Sequence, residues 1–461
     1  MESEAMKVMN TGNMLENRDE AIRQIFLNIL EQDEDFWDFR NENTKEFSHG
    51  YHSYPAMMIS QVARNLMRMI LSNQPNIKSV FDPFMGSGTT LVEGVLHGLD
   101  SFGTDLNPLA RLLGKVKTTP LNPTYLSEVA EQFIFSLSND ELSYKNGDLV
   151  LEKPEFKNID YWFKPYVIDY LQIIKNNIKK IQHDDIKLFF WAVFSEVVRY
   201  VSNTRNSEFK LYRMDEEKLA DWNPNVFDVF IKFLNRNIEL NQQFYELYNE
   251  QNPTNQPAVK IFDLNAMNLE GIDDNSFDLL ITSPPYGDSR TTVAYGQFSR
   301  LSLQWLDFNE IGEDESLVKD INKIDALLLG GKVDKELKNS LASETLERTI
   351  ESIAIEDEKR AKEVLQFYID LDKALKEIAR VMKPNSYQCW VVGNRTVKKV
   401  KIPTHQIIIE LFQKYGVRHV LTFERNIPNK KMPKENSPTN KVGEKVTTMN
   451  GEVIFILRKE G

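Results

Sequence analysis

Residues 79–105 decide the fold of this chain, and their sequence is SVFDPFMGSGTTLVEGVLHGLDSFGTD. Residues 79–81 are a short β-type run, and residues 91–99, after the turn that follows, have the apolar spacing of a helix. A second β-type run, residues 101–104, ends at Asp105. A strand, a glycine-containing turn, a helix and a strand ending in an acid form the first half of a nucleotide-binding α/β sheet. The sequence therefore predicts an α/β fold.

The glycine-containing turn predicts the type of ligand. Gly86 and Gly88 have no Cβ, so the backbone can approach a ligand closely and adopt positive φ. Asp105 follows Gly86 by 19 residues, a spacing at which a carboxylate can accept hydrogen bonds from both hydroxyls of a ribose. Because no lysine follows Gly88, the turn is not a triphosphate-binding P-loop. These features favour a nucleoside ligand without phosphates, for which S-adenosylmethionine is the obvious candidate.

A second motif, Thr282-Ser283-Pro284-Pro285-Tyr286, directly follows the apolar run at 277–281. Two consecutive prolines fix φ and remove two N–H donors, so the Pro284 carbonyl can point outward without a nearby amide competing for it. That carbonyl and the Ser283 hydroxyl can accept both hydrogens of an exocyclic amine. Tyr286 offers a flat face on which a flipped-out base can stack. Taken alone, a structural turn around a core tyrosine is the simpler interpretation.

Together, FDPFMGSGTT at 81–90 and TSPPYG at 282–287 strongly resemble the S-adenosylmethionine-dependent amino-methyltransferases of DNA, which methylate N4 of cytosine or N6 of adenine. The resemblance covers about residues 50–110, 258–300 and 363–461. It implies an α/β fold with a Rossmann-like seven-stranded methyltransferase sheet and two mainly helical insertions. In this family, serine before Pro-Pro-Tyr is typical of cytosine-N4 enzymes, whereas aspartate or asparagine is commoner in adenine-N6 enzymes.

The resemblance also implies roles for individual residues. The catalytic residues are expected to be Ser283, Pro284, Pro285 and Tyr286. The cofactor-binding residues are expected to be Tyr54, Pro55, Asp82, Phe84, Gly86, Gly88, Thr89, Thr90, Asp105, Asn107, Asp263 and Asn265. We expect no metal, because the six histidines show no metal-ligand spacing and the single cysteine cannot form a multi-cysteine zinc site.

The order of these motifs divides the chain into a catalytic domain and three other segments. The predicted boundaries are an N-terminal extension at 1–47, a methyltransferase catalytic domain at 48–117, 257–289 and 361–461, a helical insertion at 118–256, and an acidic helical insertion at 290–360. The first insertion is the candidate target-recognition region. Because the cofactor motif precedes the catalytic motif, unlike in many cytosine-N4 enzymes, this assignment is not carried over from the family.

The net charge of −12 taken alone argues against a nucleic-acid partner, since such partners select basic surfaces. Charge is nevertheless uneven: residues 306–360 carry 8 Lys/Arg and 15 Asp/Glu, residues 380–434 carry 12 and 2, and residues 164–213 carry 9 and 5. The local field, not the total, steers a polyanion. The expected DNA contacts are Arg205, Lys210, Arg213, Arg395, Lys398, Lys399, Arg425 and Lys430. An ordinary interhelix loop is an equal interpretation of the first three.

These observations predict a site-specific methyltransferase that acts on N4 of cytosine in a base flipped out of double-stranded DNA. The alternatives are an adenine-N6 DNA methyltransferase, an RNA amino-methyltransferase, or a non-catalytic DNA-binding subunit with the same fold. The N-terminus lacks a basic region followed by an apolar run, and no stretch is long and apolar enough to cross a bilayer, so we expect a cytoplasmic protein without a membrane partner. Whether a restriction endonuclease or a defence-system partner accompanies it stays open.

Overall fold

A seven-stranded sheet forms the centre of the computed structural model, which describes residues 2–206, 208–288, 291–334, 336–427, 435–436, 446–447 and 451–461. Its strands are β1 Ser79–Asp82, β2 Asp100–Thr104, β3 Val259–Phe262, β4 Phe277–Thr282, β5 Met382–Val392, β6 Val417–Asn426 and β7 Gly451–Lys459. The spatial order is β3-β2-β1-β4-β5-β7-β6. β7 runs antiparallel to both of its neighbours, β5 and β6, and the other neighbouring pairs are parallel. The predicted Rossmann-like seven-stranded fold is confirmed.

Helices surround this sheet on both faces. Their bounds are α1 Glu2–Gln32, α2 Ser60–Asn73, α3 Thr89–Leu96, α4 Pro108–Thr118, α5 Pro123–Asn146, α6 Ile159–Trp162, α7 Pro165–Lys179, α8 Asp184–Val201, α9 Glu216–Asp221, α10 Val226–Gln251, α11 Tyr295–Trp305, α12 Ile324–Leu327, α13 Glu344–Glu356, α14 Glu358–Val381 and α15 Thr404–Gln413. Short 3₁₀ helices span Phe36–Asp38, Phe47–Tyr51 and Glu315–Lys323, and two small ribbons pair Thr396–Val397 with Val400–Lys401 and Glu435–Asn436 with Val446–Thr447. Within the described ranges, no helix is long and apolar enough to cross a membrane.

The strand order positions the site. It reverses between β1 and β4, which lie side by side and parallel. In open α/β sheets, ligands bind outside the carboxyl ends of the strands at such a switch point. The glycine-containing turn follows β1 and the Ser283 turn follows β4. The two motifs found in the sequence therefore meet at one crevice.

The helical insertion shares a core with the catalytic domain. Leu113 of α4, Trp191 of α8, Phe230 of α10 and Trp305 of α11 are fully buried in one apolar cluster. Because α11 belongs to the acidic insertion, the two insertions pack on each other. The later part of the acidic insertion, α13, packs instead on α14 and α15 on the sheet. The acidic insertion is thus divided between two layers.

The N-terminal helix α1 packs on the sheet. Ile22 and Phe26 are fully buried beside strand residues such as Ile454. Asp19 accepts hydrogen bonds from Arg458 Nε at 2.8 Å and from Tyr387 Oη at 2.9 Å. The sequence of this segment shows one apolar stripe, but nothing in it identifies the sheet as the surface on which that stripe packs.

We predict that Asp19→Ala lowers the free energy of unfolding by about 3–5 kcal/mol, because it leaves the buried Arg458 guanidinium without a counter-charge. Urea denaturation followed by circular dichroism measures this change. Glu20→Ala, at the neighbouring exposed position, is the matched control and should shift the midpoint little. Equal losses in the two variants would contradict the structural role of Asp19.

Candidate active site

A cavity lies at the carboxyl ends of β1, β2 and β4. Its walls come from the glycine-containing turn, from the end of β2, from residues 54–58 and from the Ser283 turn. This position fits a small-molecule site at a topological switch point. The cavity therefore connects the two sequence motifs in space.

The turn after β1 requires both of its glycines. Gly86 has φ of +50° and Gly88 has φ of +86°, a region that residues with a Cβ rarely adopt. A Cβ on Gly88 would lie 3.0 Å from the Cα of Gly114 in α4. Gly86 N–H donates to Asp105 Oδ2 at 3.2 Å, so the turn is fixed against the end of β2.

Asp105 lies in the cavity wall, as the ribose-binding prediction requires. Burial raises the pKa of its carboxyl to about 6, although the Asn107 N–H and the Arg111 charge oppose the shift. Its Oδ1 accepts the Asn107 N–H at 2.8 Å. Asn107 itself caps α4, since its Oδ1 accepts the Leu109 N–H at 3.1 Å, and it donates to Tyr54 Oη at 3.0 Å. Asn107 thus holds the wall in shape.

Asp82 connects the cofactor turn to the catalytic strand. Its Oδ1 accepts a hydrogen bond from Thr282 Oγ1 at 2.6 Å and another from the Phe84 N–H at 3.0 Å. Burial raises the pKa of this carboxyl to about 6. The carboxylate spans β1 and β4 immediately before the Ser283 turn, so both turns depend on it for their relative position.

Nine of the twelve expected cofactor residues line the cavity, namely Tyr54, Pro55, Asp82, Phe84, Gly86, Thr89, Asp105, Asn107 and Asn265. The other three do not. Gly88 packs against α4, and the buried Thr90 hydroxyl donates to the Ile281 carbonyl at 3.1 Å. Asp263 pairs with Arg111 at 2.7 Å, and its neighbours Leu264 and Asn265 reach the cavity instead.

Several wall residues escaped the sequence analysis. Ser87 lies within the quoted motif at 81–90, and Met57 lies two residues after the expected cofactor residue Pro55, so the sequence near both was already marked. Tyr295, Ile324 and Leu329 come from the acidic insertion, and no sequence signal marks them as wall residues. The acidic insertion therefore closes one side of the cavity.

Three polar side chains, Ser283, Tyr286 and Glu452, are connected by hydrogen bonds at the Ser283 turn. Ser283 and Pro285 line the cavity, whereas Pro284 is buried behind them. Ser283 Oγ lies 3.1 Å from Tyr286 Oη, and Tyr286 Oη donates to Glu452 Oε1 at 2.8 Å. Burial, followed by the Glu452 charge, raises the pKa of the Tyr286 phenol well above its usual value. Tyr286 therefore stays protonated and can act as a hydrogen-bond donor.

A buried ion pair supports the far side of this turn. Arg395 Nη1 lies 3.3 Å from Asp288 Oδ2, and the Arg395 side chain is only 12% exposed. A Cβ on Gly287 would lie 2.0 Å from the same guanidinium nitrogen. Glycine at this position lets the arginine approach the backbone. Arg395 is thus used inside the protein and is not available to a phosphate.

The other expected DNA contacts occupy different environments. Arg205 and Lys399 are exposed, Lys210 is half-buried, and Lys398 pairs with Asp357 at 3.0 Å. Arg213 lies over the Tyr161 ring, 4.7 Å from its centroid. Arg425 is 6% exposed and donates to the Trp37 carbonyl at 2.8 Å. Lys430 lies outside the described residues.

The residues present fit S-adenosylmethionine. A turn without Cβ atoms gives its backbone access, the Asp105 carboxylate suits its ribose, and Met57, Met58 and Leu329 give apolar walls. The described part of the chain holds no cluster of three or more His, Cys, Asp or Glu side chains that could bind a metal ion.

We predict that binding of S-adenosylhomocysteine weakens as the pH falls through about 6. Only the ionised Asp105 can accept both ribose hydrogen bonds, and its raised pKa puts its protonation in this range. Asp105→Asn should weaken binding roughly 10- to 100-fold at pH 8, as expected for lost hydrogen bonds to a charged group of about 1.5–3 kcal/mol.

Isothermal titration calorimetry between pH 5 and 8 measures both effects. Because Asp82 titrates in the same range, the part of the pH dependence that Asp105→Asn removes is the part assigned to Asp105. Parallel pH curves for the variant and the parent protein would refute the assignment.

Comparison with known proteins agrees with this geometry. The Type II methyltransferase M.MvaI of Kocuria varians is 49% identical over 452 residues, which cover 96% of this chain and 98% of that protein. The Type II methyltransferase M.BsoBI of Geobacillus stearothermophilus is 22% identical over 326 residues, covering 66% and 60% of the two chains. No family model matches the chain.

Among solved structures, the rRNA methyltransferase AviRa of Streptomyces viridochromogenes is 9% identical and aligns over 88% of each chain, with a TM-score of 0.31. That score is too low to carry an argument. The match to M.MvaI extends over nearly the whole of both chains. The chain therefore belongs to the family of Type II DNA methyltransferases, whose methyl donor is S-adenosylmethionine.

Proposed function

We propose that this methyltransferase modifies N4 of cytosine. The observation that carries the proposal is Ser283, a hydroxyl residue directly after β4 that lines the same cavity as Asp105 and Phe84. Serine before Pro-Pro-Tyr is typical of the cytosine-N4 enzymes that this sequence motif resembles. Adenine N6 is the second candidate, and it is kept because the serine preference has exceptions.

The residues of the turn would act by positioning. The bound donor supplies an electrophilic methyl group. Ser283 and the Pro284 carbonyl would accept the two hydrogens of the exocyclic amine, which turns its lone pair toward the methyl. Tyr286 would hold the flipped base by stacking. Alignment of this kind accounts for most of the acceleration expected of a direct transfer, and it requires no covalent intermediate.

Double-stranded DNA would approach along the carboxyl edge of the sheet. Lys398 and Lys399 form the turn of the small ribbon after β5, so they lie at the same edge as the two motifs. Both have positive φ, which marks a tight turn. We assign these lysines to phosphate contacts. Arg395 and Arg425 leave the proposed set, because the protein uses both guanidinium groups internally.

The loop at 202–215, within the helical insertion, would read bases. Phe209 and Tyr212 are 52% and 48% exposed in this loop, beside the exposed Arg205. Phe209 contacts Phe298 of α11, with ring centroids 6.4 Å apart, and Phe298 contacts the cavity residue Tyr54. A basic and aromatic surface joined to the cavity wall suits a nucleic acid that places one base inside.

We predict that Ser283→Ala and Tyr286→Ala each abolish most methyl transfer while S-adenosylhomocysteine binding stays nearly unchanged, because both side chains act on the base. Base-resolution sequencing of DNA from cells that express the protein reports the modified base and the site together. N4-methylcytosine is the expected product. N6-methyladenine would replace the proposal by its alternative, and parental rates in either variant would refute the roles assigned to these residues.

We predict that Lys399→Ala weakens DNA binding for all sequences alike and reduces the slope of log K against log salt by about 1, the value for one lost phosphate contact. Lys78→Ala is the matched control, because this exposed lysine precedes β1 at the opposite edge of the sheet. Fluorescence anisotropy at several salt concentrations measures both slopes. An identical change in the two variants would contradict the proposed edge.

A further inference from the structure

A series of hydrogen-bonded side chains connects the Ser283 turn to β7. Ser283 Oγ and Tyr286 Oη are 3.1 Å apart, and Tyr286 Oη and Glu452 Oε1 are 2.8 Å apart. The other Glu452 oxygen binds Arg425 Nη1. Glu452 and Ser283 are separated by more than 160 residues, and they meet because β7 inserts beside β5.

The chemistry of these groups fixes the direction of each hydrogen bond. An ionised glutamate can only accept, so the bond between Tyr286 and Glu452 uses the single hydrogen of the phenol. Tyr286 Oη then has only lone pairs for Ser283, so the serine hydroxyl must donate its hydrogen to it. The lone pairs of Ser283 Oγ are left free for a group in the cavity.

We propose that Glu452 is a positioning residue for methyl transfer: through Tyr286 it orients the Ser283 hydroxyl as an acceptor for the target amine, and it receives the proton that the amine releases. The inference rests on the proposed function, since it requires that Ser283 contacts the amine. Nothing in the sequence near Glu452 marks it as part of the site.

The surroundings of Glu452 keep it in place. Arg425 pairs with it and is itself anchored by the Trp37 carbonyl, which accepts from Arg425 Nε at 2.8 Å. Asp38 holds Asn426, the residue after Arg425, because Asp38 Oδ1 accepts the Asn426 N–H at 2.7 Å. The Glu452 side chain is 17% exposed, so a proton that reaches it can pass on to water.

The proton balance closes without a further reactant. A nitrogen–carbon bond forms on the amine as the carbon–sulfur bond of the donor breaks, and that bond's electron pair stays on sulfur. The nitrogen, now positively charged, releases one proton to Ser283 Oγ. Ser283 passes its own proton to Tyr286 Oη, and Tyr286 passes its own to Glu452 Oε1. The products are a neutral methylated base, a thioether and a protonated glutamate.

The test compares Glu452→Gln, Tyr286→Phe and the double variant by single-turnover methyl transfer at saturating DNA and donor. Glutamine keeps the shape of Glu452 but loses its charge and can donate, which would reverse the hydroxyl chain. Phenylalanine keeps the ring but removes the link. We expect each single variant to lose about 100-fold in rate, within the range of proton-transfer catalysis, with unchanged dissociation constants for DNA and S-adenosylhomocysteine.

The double variant gives the decisive readout. If Glu452 acts through the Tyr286 hydroxyl, adding Glu452→Gln to Tyr286→Phe causes no further loss. Multiplied losses, or a Glu452→Gln rate within about threefold of the parent, would overturn the inference. Glu424→Gln, an exposed carboxylate on the adjacent strand β6, is the matched control and should keep the parental rate.

Ser283→Ala, measured alongside, distinguishes a failure of the role assigned to Glu452 from a failure of the role assigned to Ser283. Loss of activity in Ser283→Ala together with an active Glu452→Gln overturns only the role of Glu452. A fully active Ser283→Ala overturns the proposed role of Ser283 and this inference with it.

Discussion

A buried hydrogen bond from Thr282 Oγ1 to Asp82 Oδ1, 2.6 Å long, joins the ends of β1 and β4. A carboxylate enclosed by protein is costly unless it is hydrogen-bonded, so this contact and the Phe84 N–H together keep Asp82 in place. The turn proposed to bind the donor begins at Asp82, and the turn proposed to bind the amine begins at Thr282. A direct transfer needs the two reacting atoms aligned to within fractions of an ångström, and this bond fixes the relative position of the turns that hold them.

The antiparallel strand β7 supplies the second constraint. In a parallel sheet, the start of a strand lies at the edge away from the site, but β7 runs in the opposite direction and so begins at the site edge. Its second residue, Glu452, therefore reaches Tyr286. The order of the strands thus decides which carboxylate lies behind the catalytic turn, and the choice depends on topology, not on any local motif.

The sequence predicts most of the fold because its signals are local. The short β-type runs at 79–81, 101–104 and 277–281 each lie within a strand of the sheet, namely β1, β2 and β4. The turns at Gly86 and Ser283 were predictable because glycine and proline constrain the backbone by themselves. The contributions of Tyr295, Leu329 and Glu452 were not, because each depends on contacts between distant segments. The packing of α1 on the sheet was missed for the same reason.

The charge counted along a stretch of sequence is a poor guide to the charge that the folded surface presents, for a physical reason. A buried arginine is costly unless its charge is paired or hydrogen-bonded, and Arg425 and Arg395 are paired with Glu452 and Asp288. These partners lie 27 and 107 residues away along the chain. A count over residues 380–434 therefore includes cations whose field is cancelled within the fold. Only the cations that stay exposed at the carboxyl edge, Lys399 among them, can attract a polyanion from solution. The basic block thus has no single role: Arg395 and Arg425 support the turn at 283–286 from behind, while Arg380, Lys383 and Lys414 pair with carboxylates elsewhere in the fold.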